Sequence, residues 1–517
     1  MVQYLDNNSG FNQWMSGQAQ KKPSRFSGLF WWVLLFLFAW WIIGAWFKPQ
    51  NVEIDNTNIA TVEQSNIATR SVENEDISFD VQGLRISKIS LNKHQKDVKT
   101  QDKIALLSGN NNFIETGFVS ADTKTPNINS QWEMKSGLMH WNNGANVLFV
   151  RDIVTEGYVI TVTDTIKNNS GCEIILNPYI QIATNTSEKM SSVIKTGGIV
   201  YANSKLDFTN WNKLDKKSVA YSTVRGSLGF ADQYWETVAS MDANDQTISL
   251  KKSGDLYLAQ SNVAPIKIAP KSELNIKTYI FAGPRMANVL NSVADKIPGI
   301  DKTMDYGWFW FFAQPMLWMI NWLFDFVGNY GVAIILMTLI LRILIWPLTR
   351  KSFMSTVAMQ KMQPELQRVQ KLYANDKARL QIEMMKVYQT HKTSPMAGCL
   401  PMLIQIPIFF ALYKALMISV PMRSAHFLWI SDLAAMDPYF ILPVLMGATM
   451  WLQQYLQTPK MSGNVSDAMA SSQRVMKWMP VLFTVMLAWM PAGLILYWTM
   501  SNVFGIFQMY IIKKNTK

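Results

Sequence analysis

Residues 330–346, YGVAIILMTLILRILIW, carry a single charge, Arg342, in a run of seventeen residues that is otherwise apolar. Such a run is comfortable inside a bilayer, where an arginine costs about 2.5–3.5 kcal/mol on insertion scales. Either the side chain snorkels to the nearer membrane surface, or neighbouring spans build a polar pocket around it. The next cations, Arg350 and Lys351, lie eight and nine residues further on. At about 1.5 Å per residue, a straight helix places the guanidinium roughly 12 Å below them. That depth favours the pocket and makes Arg342 the first candidate functional residue.

Working outward, the 517 residues divide into a polar middle and an apolar second half, which a mean hydropathy of +0.04 conceals. The 20 tryptophans gather at the ends of apolar runs, as rings at headgroup level do. The net charge of +12 arises mainly beside those runs, so lipid and topology account for it and no specific nucleic-acid recognition is expected. Cys172 falls in the polar region and Cys399 in an apolar run, which argues against a disulfide between them. Two cysteines and four scattered histidines offer no metal site.

Along the chain, residues 1–28 read as a cytoplasmic N-terminal segment. Residues 29–47 (LFWWVLLFLFAWWIIGAWF) follow Lys21, Lys22 and Arg25 and read as an uncleaved first anchor. Residues 48–300 form a domain across the membrane. Its first part, 51–76, reads as a linker, and its period-two alternation in RISKISL (85–91) and YVITVTDTI (158–166) predicts a large antiparallel β-sandwich. Residues 301–327 are expected to form an amphipathic helix in the membrane plane, and 328–348 the second span. The charged stretch 349–395, holding Lys361, Arg368, Lys371 and Arg379, predicts a helical hairpin with Asp376 as a cap. Residues 396–512 hold spans three to six, with one run of only thirteen residues before Pro491. Residues 513–517 are the tail. Lysines and arginines place both termini inside, across six spans.

The apolar runs contain no Asp or Glu, which weighs against an ion-coupled transporter. Lys414, near the outer end of its helix, reads as a snorkelling lysine. Ser501 and Asn502 read as inter-helix hydrogen-bond glue. Thr338, one turn before Arg342, and Gln405, bracketed by Pro401 and Pro407, are placed to line a half-wet concavity, with the prolines freeing backbone carbonyls toward it. Met486 is among several methionines that supply an adaptable lining. One fixed cation in such surroundings suits an amphiphilic guest, such as an apolar helix with an acidic flank.

The strings GWFWFFAQP (307–315), LILRILIWPLTRKS (339–352), PMAGCLPMLIQIPIFFALY (395–413), DPYFILPVLMGATM (437–450) and MPAGLILYWTMSN (490–502) resemble, in order and spacing, the YidC-type membrane protein insertases. The resemblance extends more weakly over the first anchor and the polar domain, as in the large-domain form of Gram-negative inner membranes. It implies a multi-pass α-helical protein, five of its spans forming an insertase core, with a β-sandwich in the periplasm. Arg342 then corresponds to the arginine of a hydrophilic groove open to cytoplasm and lipid. Thr338 and Gln405 match groove positions, and Tyr497-Trp498 stands where well-known members carry two tyrosines. Implied partners are nascent membrane proteins, the ribosome at the hairpin, the Sec translocon with its accessory subunits, and the phospholipid bilayer. No cofactor and no enzymatic activity are implied, and the short tail implies weak ribosome contact. Two rivals stay open: a solute channel or transporter, and a structural translocon subunit.

Overall fold

The computed structural model describes residues 69–95, 102–108, 111–185, 195–373, 376–391, 400–457 and 467–515. The N-terminal segment and the anchor at 29–47 lie outside the described residues, as do Cys399, Lys460 and the end of the tail.

The polar half folds as two antiparallel sheets. One holds ten strands, with Ile174–Thr184 near its middle, and the other nine, with Ser272–Pro284 and Val159–Asn168 at its centre. Alternation decides which side chains point inward. Val162, Asp164 and Ile166 are buried in the predicted strand, and its hairpin partner Val147–Glu156 is reached through Gly157, whose positive φ suits a two-residue turn. In RISKISL the phase slips by one at Lys88, a non-glycine residue at φ 52°, where a bulge opposite Phe79 lets Ile86 and Ile89 both face the core. The buried Asp164 is matched across the strands by Arg151, which donates to it at 2.7 and 2.9 Å and to the carbonyl of Thr116 in the facing sheet at 2.9 Å. The expected linker ends earlier than predicted, because Arg70–Glu73 pairs with Ile77–Gln82 as an edge strand.

The apolar half is helical. After the short helices α1 (Trp211–Leu214) and α2 (Ala287–Ser292) come α3 (Trp310–Val327), α4 (Tyr330–Leu344), α5 (Trp346–Leu372), α6 (Lys377–Thr390), α7 (Leu400–Ile418), α8 (Ile441–Gln457), α9 (Asp467–Leu487) and α10 (Ala492–Asn515). Helix α3 buries Ala313, Met316, Leu317, Ile320 and Leu323, and exposes Trp318, Trp322 and Phe326 at four-residue spacing. Of the described helices, α10 is long and apolar enough to cross a bilayer alone, over Ala492–Lys514. Helix α4 with the start of α5 passes the same test as a pair bent by 62°.

That bend corrects the depth argument for Arg342. The helix breaks at Ile345, just before Pro347, which has no N–H to continue the ladder, so the route to Arg350 is not a straight 12 Å. Helix α9 is also longer than the thirteen apolar residues before Pro491 implied, since a polar first half precedes its apolar part, Lys477–Leu487. Helix α7 runs through Pro407 without interruption. The proline removes one backbone bond there but does not open the helix.

The two halves are joined through polar contacts and a shared apolar residue. Gln233 donates to the carbonyl of Met417 at 2.7 Å, Arg423 donates to that of Gln95 at 3.0 Å, and Val420 joins the sandwich core. Lys414 does not snorkel outward as expected. It pairs with Asp305 at 2.8 Å, and the two side chains are only 8% and 13% exposed. Burial pushes the Asp305 carboxyl up, but Lys414, Lys195 and the Gly307 amide outweigh it and hold it below the usual carboxylate range. Beside this pair, Arg285 lies 3.4 Å from Glu236 and donates to the carbonyls of Asp232 and Thr303.

Burial drives the Glu236 carboxyl up to about 7, against the pull of Arg285 and Thr303, from an ordinary 4.5. The folded chain therefore holds a proton that the unfolded chain has already released. Its contribution is complete below the unfolded pKa and is lost as pH rises through the folded one, a loss on the order of 1–3 kcal/mol. Burial lowers the pKa of His94, which acts in the opposite direction, losing stability as pH falls below 6.5. The discriminating measurement is thus thermal melting of Glu236→Gln against the parent between about pH 5 and pH 8. The parent should lose more stability than the variant on going alkaline, and parallel profiles would refute this assignment.

Candidate functional site

Helices α4, α7 and α10 bring the sequence-predicted polar residues together. Arg342, in the last turn of α4, is half-buried. Its Nε and Nη2 both donate to the hydroxyl of Ser501 on α10, at 3.0 and 2.6 Å. Among the described residues no carboxylate lies within salt-bridge distance of it. The backbone is held as well, since Gln508 donates from Nε2 to the Arg342 carbonyl at 3.0 Å. Gly505 makes room, because a Cβ there would sit 3.5 Å from Nη1 and 3.0 Å from the Gln453 amide.

One turn before Ser501 on α10 lies Tyr497, whose hydroxyl accepts from Gln405 Nε2 at 2.9 Å. Tyr497 is buried one turn from Ser501, so the Gln405–Tyr497 and Arg342–Ser501 pairs sit on successive turns of α10 and make a chain of polar groups drawn from three helices. Such a chain gives a buried cation dipoles to face without neutralising it. Its charge therefore stays unneutralised among the described residues.

Other predicted residues fall differently. Thr338 is fully buried, and its hydroxyl donates to the Ile334 carbonyl of its own helix at 2.6 Å, so it packs behind Arg342 and presents no free donor. Trp498 is half-buried, edge-on to Phe409 with centroids 5.1 Å apart and tilted against Phe483. Met486 is partly buried against the same apolar core. Ser501 bridges helices as expected, but its partner is the arginine itself. The i, i+4 spacing of Tyr497 and Ser501 was the available signal for that role. Asn502 is glue in the ordinary sense, donating to Thr449 on α8 at 3.3 Å.

The hairpin forms as predicted. Asp376 caps α6 by accepting from the Arg379 amide at 3.0 Å, and Met362, Leu366 and Val387 close the interface between α5 and α6. His391 meets Glu365 across it at 2.9 Å. Lys361, Arg368, Lys371, Asp376 and Arg379 all lie exposed on its surface. They offer a mixed, mainly basic surface over the small apolar core between the two helices.

A helical membrane unit joined to a large β-domain defines the class: a helical membrane protein that carries a large β-sandwich. Two family models divide the chain between them, the YidC periplasmic domain over residues 66–319 and the 60Kd inner membrane protein over 322–517. The membrane protein insertase YidC of Rickettsia conorii is 33% identical over 508 residues, covering 89% of each chain, and that of Rickettsia bellii is 31% identical over 520 residues, covering 91% and 92%. The chain belongs to the YidC family of membrane protein insertases. Among solved structures, a crystal structure of an active YidC insertase with its first transmembrane domain resolved covers 93% of this chain, at 18% identity and a TM-score of 0.39. As a membrane protein insertase, the protein has nascent membrane proteins as its clients.

Proposed function

We propose that insertion runs through a hydrophilic groove centred on Arg342 and flanked by Gln405, Tyr497, Trp498 and Met486. The observation carrying this is a half-buried guanidinium bound to a neutral hydroxyl, with no acid beside it among the described residues. The cation attracts the polar or acidic flank of a client and shortens the apolar distance that flank must cross. The client helix then leaves sideways into lipid, its burial driving the step at about 25 cal/mol per Å². The work is non-covalent and needs neither cofactor nor metal.

In this arrangement six spans cross the membrane with both termini in the cytoplasm, and α3 lies in the outer interface with Trp318 and Trp322 toward lipid. The hairpin bases Lys361, Arg368, Lys371 and Arg379 receive the ribosome or the client as it emerges. The protein works alone or beside the Sec translocon. A photoreactive residue at Gln405 or Trp498 is expected to crosslink to a stalled nascent membrane protein, whereas one at the fully buried Thr338 is not. Absence of crosslinks from both of the first two positions would overturn the groove. Substrate flux through proteoliposomes without insertion would favour a channel or transporter instead.

A further inference from the structure

Where the sandwich meets the helices lies a cavity of about 310 Å³, whose walls include Lys195, Asp207, Phe208, Lys302, Met304 and Asp305. Its volume is at the lower end of the roughly 300–1,000 Å³ typical of ligand pockets. Its position is fixed by the chain: Asp305 lies five residues before α3, and the intervening Trp308 is 86% exposed, with Trp310 and Phe311 also exposed beyond it. Exposed aromatics of this kind sit at the headgroup level of a bilayer. With α3 in the outer interface, as proposed above, the cavity lies at the depth of lipid phosphates.

Its charges are not all committed. Asp305 is matched by Lys414 at 2.8 Å, while Lys195 touches Asp305 only at 3.5 Å and keeps its side chain 57% exposed. The Lys302 ammonium is 3.4 Å from the Tyr201 hydroxyl and stands over that ring at 5.0 Å. Asp207 accepts a hydrogen bond from the Tyr221 hydroxyl, a neutral donor that leaves its negative charge uncancelled. Two available ammonium groups and one uncancelled carboxylate therefore share one small volume, with Phe208 and Met304 as an apolar wall.

We propose that this cavity binds the headgroup of an amino-phospholipid, with Lys195 and Lys302 taking the phosphodiester and Asp207 the primary ammonium. A glycerol headgroup could donate a hydroxyl to Asp207 but brings no positive charge to cancel it. A trimethylated headgroup would have no N–H to donate. The β-domain is thereby seated on the outer leaflet by a lipid as well as by the Asp305–Lys414 pair.

The test uses the full chain in detergent with equal amounts of phosphatidylethanolamine, phosphatidylcholine and phosphatidylglycerol, and counts retained lipid by mass spectrometry. Phosphatidylethanolamine should be retained about tenfold over phosphatidylcholine, as charge-assisted hydrogen bonds to both ends of the headgroup require. Lys195→Ala with Lys302→Ala, and separately Asp207→Asn, should abolish that preference, the second without changing the melting temperature. The asparagine keeps an acceptor for Tyr221, so the fold is not at stake. An unchanged preference in both variants refutes the site, and phosphatidylglycerol retained as well as phosphatidylethanolamine refutes its amine arm. Soluble phosphoethanolamine competing as tightly as the lipid removes the lipid assignment.

Discussion

Reversing the charge at position 342 is expected to halt insertion of clients whose translocated flank is acidic. In Arg342→Glu the guanidinium that donates twice to Ser501 is replaced by a carboxylate that repels the flank it formerly drew in. Losing one charge-assisted contact of about 1.5–3 kcal/mol corresponds to a roughly 10- to 100-fold drop in insertion. Arg342→Lys keeps the charge but not the fork that spans one hydroxyl from two nitrogens, so it should fall between the parent and Arg342→Glu. A client with a short uncharged flank should lose far less, because burial of its helix supplies most of the drive. Insertion of both client types into proteoliposomes measures the difference. Equal losses for the two would mean that Arg342 maintains structure and attracts nothing.

The second large effect is on stability. Lys414→Ala strands Asp305, 13% exposed, at the junction of sandwich and helices, and breaking a buried pair costs about 3–5 kcal/mol. Lys195, already 3.5 Å from Asp305, offers a fallback that should hold the loss toward the lower end of that range. Removing Lys195 together with Lys414 should therefore cost more than the two single losses added, a coupling expected of groups sharing one partner. Swapping the two charges, Lys414→Asp combined with Asp305→Lys, should recover part of the loss. Thermal melting of the full chain reads the parent and each of these variants, and an unaltered midpoint for Lys414→Ala would show that the junction does not depend on the pair.

The parts of the fold written in local pattern were legible in the sequence. Period-two alternation placed the strands around Tyr158–Ile166, and the apolar runs placed α4, α7, α8 and α10 to within a few residues. Asp376 announced its own cap. What escaped depends on residues distant in sequence. Lys414 and Asp305 are 109 positions apart and Arg342 and Ser501 are 159 apart, so no periodicity connects them. The break at Ile345 was hidden because Trp346 continues the apolar run while Pro347 ends the hydrogen-bond ladder one step later. Thr338 was placed on the correct helix face by its spacing from Arg342. Its hydroxyl had a nearer acceptor in its own backbone, a competition that hydropathy does not register.

The elbow at Ile345 sets how the hairpin arm and Arg342 share motion. Beyond it, α5 runs for 27 residues, a rod of about 40 Å at 1.5 Å per residue. A swing of about 10° about that pivot would carry the far tip through roughly 7 Å, while a side chain three residues behind the fulcrum would shift by less than about 1 Å. The arm can thus sweep a wide arc while the arginine stays moored to Ser501.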